Sequence, residues 1–286
     1  MPKIFTRLDG RQWDHYDDSN FQELTGTLAP GDTHPHVVVG GEKRFLAAIK
    51  PTIIKHGKAM SFAASGLKLY AESDFAKIIK DRNDAGAWPM NYCDFPCKDQ
   101  NGHSSCWGSA LTQAMQAKAR IQGLPGDEVS TCSITGPITG YRDVGGNGQD
   151  SLEYAEEHGG VSAKLWPNNS YSSSYFGTTQ GDRVHYKVTK RVTITNWREY
   201  FSAIAQGHPT TNDLSWWSHV IGGYGFADPE TGIIRNSWSD DWGNQMSFPN
   251  GKTYGGFSTL SRNKCIDLGE GNTYAIMEVT AYVGPA

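Results

Sequence analysis

No run of apolar residues in this 286-residue chain is long enough to cross a bilayer, and its mean hydropathy is −0.53. A spanning helix needs about 20 such residues, so no membrane partner is expected. The first stretch, MPKIFTRLDGRQWDHYDDSN, has no apolar core behind Lys3 and Arg7, and no secretory signal is visible in it. Basic runs are also missing. With 26 Lys and Arg against 30 Asp and Glu, the net charge of −4 gives no electrostatic footprint for nucleic acid. Cysteine is scarce, with five residues at 93, 97, 106, 132 and 265. None forms a CxxC pair, and no cysteine–histidine cluster has zinc spacing, so neither a metal nor another cofactor is expected. The odd number leaves at least one thiol outside any bridge. Repeats and low-complexity tracts are absent. What the chain does carry is 33 glycines, 9 tryptophans and 13 tyrosines, which suit a loop-rich, aromatic-packed soluble protein. A cytoplasmic or particle-associated location fits the missing signal.

Residues 1 to 84 are polar and mixed, with a strand expected at HVVVG (36–40) and helices near 43–50 and 72–82. In the second of these helices Phe75, Ile78 and Ile79 form one stripe. After a turn at NDAGAWP, the stretch SSCWGSALTQAMQAKARIQG places Trp107, Leu111, Ala114, Met115 and Lys118 at helical spacing. Ser104 or Ser105 opens that helix, and Gly123 and Pro125 close it. DSLEYAEEHGG reads as a helix opened by Asp150 or Ser151, and TNWREYFSAIAQG as another. Strands follow. HYKVTKRVTI alternates, with Val188, Lys190, Val192 and Ile194 on one face, and HVIGGYGFA–DPETG–IIRNSW reads as a hairpin. Helices first and antiparallel strands later is an α+β pattern of two packed lobes.

Cys106 falls at the first turn of its helix, where the partial positive charge of the unsatisfied N–H groups favours a thiolate. A cysteine nucleophile needs a base, and the base an orienting group. The hairpin offers His219 at the start of one arm and Asn236 near the end of the other. The arms are unequal, so the two meet only if the first arm bulges, for which Gly222-Gly223 is the expected place. The Gln100 amide and the Cys106 N–H are candidate donors to an oxyanion. Trp238, two residues past Asn236, is placed to shield the Asn–His bond. Singly, each of these is an ordinary loop or strand residue. Together they form a set.

PCKDQNGHSSCWG (96–108) resembles the segment around the oxyanion glutamine and nucleophile of the papain-like cysteine proteases. Pro96, Lys98, Gln100, Ser105, Cys106 and Trp107 stand at matching offsets. GGNGQDSLEYAEEHGGVSAKLWP (145–167) is similar to that family's glycine-rich turn and following helix. SHVIGGYG and IIRNSWSDDWG are similar to its histidine and asparagine blocks, and GGFSTLSRNKCI to its last strands. The resemblance covers about residues 85 to 286 and implies a two-lobe fold with the site in the cleft between a helical and a β-rich lobe. It implies hydrolysis of peptide bonds in a peptide or protein substrate, through a thioester on Cys106. His219 would be base and then acid, Asn236 its orienter, Gln100 an oxyanion donor, and Trp238 the cover. It also implies that Gly148 and Gln149 bond an extended substrate through their backbone, and that Ser218 and Val220 border a substrate pocket. Two other readings use the same residues: an idle papain-fold subunit of a larger assembly, and a cysteine amidase or acyl transferase on a non-protein substrate.

The chain departs from the pattern. His103, Ser104 and Gly146 stand where the family has cysteine, glycine and cysteine, so both ends of one family bridge are missing together, and Cys265 has no family partner. Folding without disulfides in a reducing compartment is therefore expected, with Cys93 and Cys97 the one local pair left. Residues 1–84 are an N-terminal extension without the spaced Glu-Arg-Phe-Asn pattern of the family's prosegments. A permanent docking arm is expected, packed on its own catalytic domain or on neighbouring subunits of a particle such as a virion.

Overall fold

The computed structural model describes residues 3–6, 11–16, 36–39, 42–45, 59–179, 183–267 and 272–284. Its first strands are short. β1 (Lys3–Thr6) and β2 (Gln12–Tyr16) pair antiparallel, as do β3 (His36–Val39) and β4 (Glu42–Phe45), and β5 is the pair Met60–Ser61. β4 corrects the helix expected over 43–50. EKRF has helical propensity, but the β-branched run HVVV gives it a ladder, with His36 opposite Phe45, and pairing outweighs propensity. Residues 46–50 lie outside the described residues.

Helix α1 (Phe75–Asp84) follows a 3-10 turn and turns Phe75 and Ile79 inward, with Ile78 half-buried beside them. Phe75 stacks on Phe201 at 3.6 Å between ring centroids. Helix α2 (Cys106–Ile121) buries every residue from Cys106 to Ala119, which its small and apolar composition allows on all faces. Gly123, at φ +70°, ends it. Helix α3 (Cys132–Thr139) has no sequence counterpart above. Its Thr and Gly content and the internal Pro137 argue against a helix, and burial of six of its eight residues overrides them. Helix α4 (Gly148–Glu157) starts ahead of the expected Asp150 or Ser151, because Asn147 is the cap. The Asn147 side chain accepts from the Asp150 N–H at 2.8 Å, which puts Asp150 inside the first turn. After β6 (Gly160–Val161) and β7 (Arg183–Ile194), helix α5 (Trp197–Ala205) is capped the same way by Asn196.

The remaining strands are β8 (Thr210–Leu214), β9 (His219–Asp228), β10 (Thr231–Arg235), β11 (Asn244–Ser247), β12 (Thr253–Ser261) and β13 (Thr273–Gly284). They join the large sheet in the order β1-β2-β12-β10-β9-β8-β13-β7-β5, with β11 also on β12 and β6 also on β7. β2–β12 and β5–β7 are parallel, and the other pairings are antiparallel. Val188, Val192 and Ile194 of β7 are buried and Lys190 is half-buried on the same face, as the alternation predicts. This is the mixed α+β architecture expected from the sequence. One core cluster lies within the β-rich part and includes Trp13, Phe75, Trp88 and Phe226. Another joins α2 and α4 to β7 and β13 through Leu111, Met115, Leu152, Val188 and Ile276. Helix α2 packs across β9, and this contact brings the sequence motifs together.

Candidate active site

Cys106 is the first residue of α2, so its N–H is one of the four at a helix start that lack an intrahelical acceptor. The preceding loop is held from both sides. Trp107 Nε1 donates to the Ser104 carbonyl at 3.0 Å, the Ser104 N–H donates to Asp143 Oδ1 at 2.9 Å, and Asp143 Oδ2 lies 2.7 Å from His103 Nδ1. The His103–Asp143 pair thus ties this loop to the segment leading into α4. A Cβ on Gly146 would come within 2.6 Å of the Trp107 indole, so no larger residue fits there. All five cysteines are unbridged. Cys93 Sγ donates to the Pro89 carbonyl at 3.6 Å and Cys97 Sγ to the Asn236 carbonyl at 3.0 Å.

The hairpin brings His219 and Asn236 together. Its ladder pairs Ile233 with Gly225 and Ile234 with Gly223, so the first arm bulges at Tyr224, one residue beyond the glycine pair that was expected to do so. A second irregularity skips Ala227. With the slack taken up, His219 Nε2 lies 2.7 Å from Asn236 Oδ1. The Ser237 N–H also donates to Asn236 Oδ1 at 2.8 Å, which marks that atom as an acceptor. His219 Nε2 therefore carries the proton, and Nδ1 is the basic nitrogen of the neutral ring. Nδ1 is buried and makes no hydrogen bond among the described residues. The ring lies between two indoles: Trp238 stacks at 5.0 Å and 27°, and Trp217 meets it edge-on at 4.9 Å. Trp238 was expected as a cover. Trp217 was not, although the pair Trp216-Trp217 two residues before His219 was a visible signal.

Gln100 is brought to the same place by backbone pairing. The Gln100 N–H donates to the Ser237 carbonyl at 3.0 Å and the Ser239 N–H to the Lys98 carbonyl at 3.0 Å, with an isolated bridge between Asp99 and Trp238. The Ser237 hydroxyl donates to Gln100 Oε1 at 2.7 Å, and Gln100 Nε2 donates to the His103 carbonyl at 2.8 Å. The Asn236 carbonyl accepts from Gln113 Nε2 of α2 at 3.2 Å. Ser237 and Gln113 were not singled out in the sequence, because their roles depend on long-range register. Among the described residues four non-glycines have positive φ, and three flank this set: Asn101 after Gln100, Ser218 before His219, and Ser239 after Trp238. Backbone in that region is held only by its surroundings and gathers at functional sites.

Ser218 ends a 3-10 turn and, at φ 49°, turns the chain into β9. Val220 packs with Cys106, Trp107 and Ala110 in one small cluster. Gly148 and Gln149 are the first two residues of α4. The Gly148 N–H is already engaged by both oxygens of Asp213, at 3.1 Å each, and Gln149 Oε1 accepts from the Tyr274 hydroxyl at 3.1 Å. Asp213, a buried acid in the run TTNDL, was not singled out in the sequence.

Burial controls the electrostatics. It pushes the His219 imidazole down to about 4, against the upward pull of its bond to Asn236, so the ring is neutral at pH 7. Cys106 and His219 are both 0% exposed. Burial also pushes the thiols of Cys93, Cys97, Cys132 and Cys265 up to about 12. Asp213 is pushed up to about 7 by its burial, against the Gly148 N–H that favours its charge. Among the described residues no group of three or more His, Cys, Asp or Glu is arranged to hold a metal, and no helix is long and apolar enough to cross a membrane.

No family model and no curated sequence matches the chain. Solved structures do. It is similar to xylellain, a cysteine protease from Xylella fastidiosa, with a TM-score of 0.55 at 15% identity over 91% of this chain and 100% of the other. The fold is papain-like. Digestive procathepsin L 3 from the Tenebrio molitor larval midgut is similar with a TM-score of 0.52 at 16% identity, over 78% of this chain and 75% of that one. Procathepsin L2 proteinase from the same midgut gives 0.50 at 14%, over 81% and 78%. At these identities the likeness carries the papain-like fold and no residue role.

Proposed function

We propose that the protein is a papain-like cysteine endopeptidase. The observation that carries this reading is the His219–Asn236 bond, which protonates Nε2 and leaves Nδ1 as a base on the strand that packs against the start of α2. In the reaction, the Cys106 thiol gives its proton to His219 Nδ1 as the sulfur attacks the scissile carbonyl carbon. The oxyanion meets the Cys106 N–H at the helix start and the Gln100 side-chain amide. Collapse breaks the C–N bond, and His219 passes the proton to the leaving amine. Water, deprotonated by the same nitrogen, then cleaves the thioester and restores the thiol. Asn236 keeps the imidazole in the required tautomer throughout.

Peptide hydrolysis and covalent labelling by an epoxysuccinyl reagent, compared between the full chain and Cys106→Ala, test the reading. Turnover and labelling that both vanish in the variant support it. Hydrolysis that survives Cys106→Ala refutes it.

A further inference from the structure

Strand β8 buries all five of its residues, Thr210 to Leu214, and one of them is an acid. A buried carboxylate is expensive unless it is paired or well hydrogen-bonded. Asp213 is 2% exposed and forms no ion pair among the described residues. Its two oxygens, able to accept about four hydrogen bonds, share the single N–H of Gly148. The charged groups that act on it are the carboxylates of Asp150 on α4 and Asp267 after β12, both repulsive, and the Tyr274 phenol of β13 is itself disfavoured as an anion by Asp213. Among the described residues no cation offsets them.

Its position gives this unspent charge a use. In the β8–β9 ladder Asp213 stands opposite Val220, and directly opposed residues of an antiparallel pair share a face. Val220 packs against Cys106, so Asp213 is on the face that meets the start of α2. The next pair along the ladder is Leu214 with His219. On its other side the carboxylate touches the Gly148 backbone so closely that a Cβ there would collide with it. Capping the Gly148 N–H does not by itself call for an acid, since an amide or hydroxyl would accept the same bond with no charge to bury.

We propose that Asp213 is a specificity-determining residue of the cleft, accepting the cationic side chain of a lysine or arginine in the peptide substrate. The inference rests on the peptidase reading and narrows its substrates to peptides with a basic residue upstream of the cut. An incoming guanidinium or ammonium supplies the positive partner that Asp213 lacks among the described residues, and the carboxylate's raised value near 7 matches a group without one.

The test uses the full chain and a tetrapeptide library with matched fluorogenic peptides, reading the kcat/KM ratio for Arg or Lys over Leu at each upstream position. At one position the ratio is expected to be at least about tenfold, and to fall to about one in Asp213→Asn. In the wild type it should rise between about pH 5.5 and about pH 8 as the carboxylate ionises. Asp213→Asn keeps an acceptor for Gly148, and its melting temperature is read alongside. If that variant does not fold, the wild-type pH series decides, and a flat ratio overturns the inference. Calorimetric binding of the same peptides to Cys106→Ala, with and without Asp213→Asn, separates the two readings. Asp213-dependent binding of the basic peptide without any cleavage keeps this inference and sinks the peptidase reading. Cleavage with no basic preference, or with one that survives Asp213→Asn, overturns this inference alone.

Discussion

The Ser237 hydroxyl donates to Gln100 Oε1 at 2.7 Å, while the same residue's N–H donates to Asn236 Oδ1 at 2.8 Å. One small residue between Asn236 and Trp238 therefore orients both the amide that would meet the oxyanion and the amide that sets the histidine tautomer. Ser237→Ala removes the first bond and keeps the second. Turnover is expected to fall about tenfold, against on the order of 10²–10³ for Gln100→Ala, with little change in KM. Steady-state kinetics of both variants check this. An equal loss in the two would place Ser237 in a different role.

Asn236→Ala takes away the acceptor for the His219 Nε2 proton and, with it, the bond that pulls the imidazole upward. Turnover should drop by less than in Cys106→Ala, because support is lost and not the nucleophile. Unchanged kcat would show that the Asn236 contact has no part in the reaction.

Thiol labelling should single out Cys106. The other four thiols are buried without an adjacent base and held up to about 12. Native protein treated with iodoacetamide near neutral pH is expected to gain one adduct on Cys106 by mass spectrometry, lost in His219→Ala, and denatured protein five. Labelling of Cys97 or Cys265 ahead of Cys106 would contradict this.

Two buried groups give stability opposite slopes with pH. Asp213 has a folded value of about 7 against an ordinary 3.8, so it costs nothing while both states are protonated and destabilises the fold progressively as pH rises through that interval. His219, at about 4 against 6.5, costs nothing above 6.5 and destabilises as pH falls from there towards 4. Asp213→Asn is thus expected to gain on the wild type as pH rises from about 4 to about 7. Urea titrations of both proteins at the two ends of that window measure the difference, and an equal offset at both ends would rule it out.

Much of this was legible in the sequence where the signal is local. The α2 stripe, the alternation of β7 and the hairpin before Asn236 follow from spacing, and Cys106 at a helix start follows from the first of these. His219 and Asn236 could be read as neighbours only by assuming a bulge, and the bulge falls at Tyr224 because the ladder, not the glycines, decides which residue is skipped. Ser237, Gln113 and Asp213 could not be read, since each acts through a partner more than 60 residues away. Helix α3 went against local propensity for the same reason, through burial by the rest of the fold, whereas the strand at Glu42–Phe45 did so by pairing with its chain neighbour His36–Val39.

The two outermost strands of the large sheet both come from the first 61 residues. β2, carrying β1, lies on β12 through Thr259–His15 and Leu260–Tyr16, and β5 lies on β7 through Val192–Met60. An uncovered strand edge offers a row of unpaired N–H and C=O groups to any passing chain. A cut that released this segment would therefore bare Thr259–Leu260 of β12 and Val192–Thr193 of β7 at once, and pull Trp13 out of the core. The shortened molecule would be a template for strand-to-strand self-association.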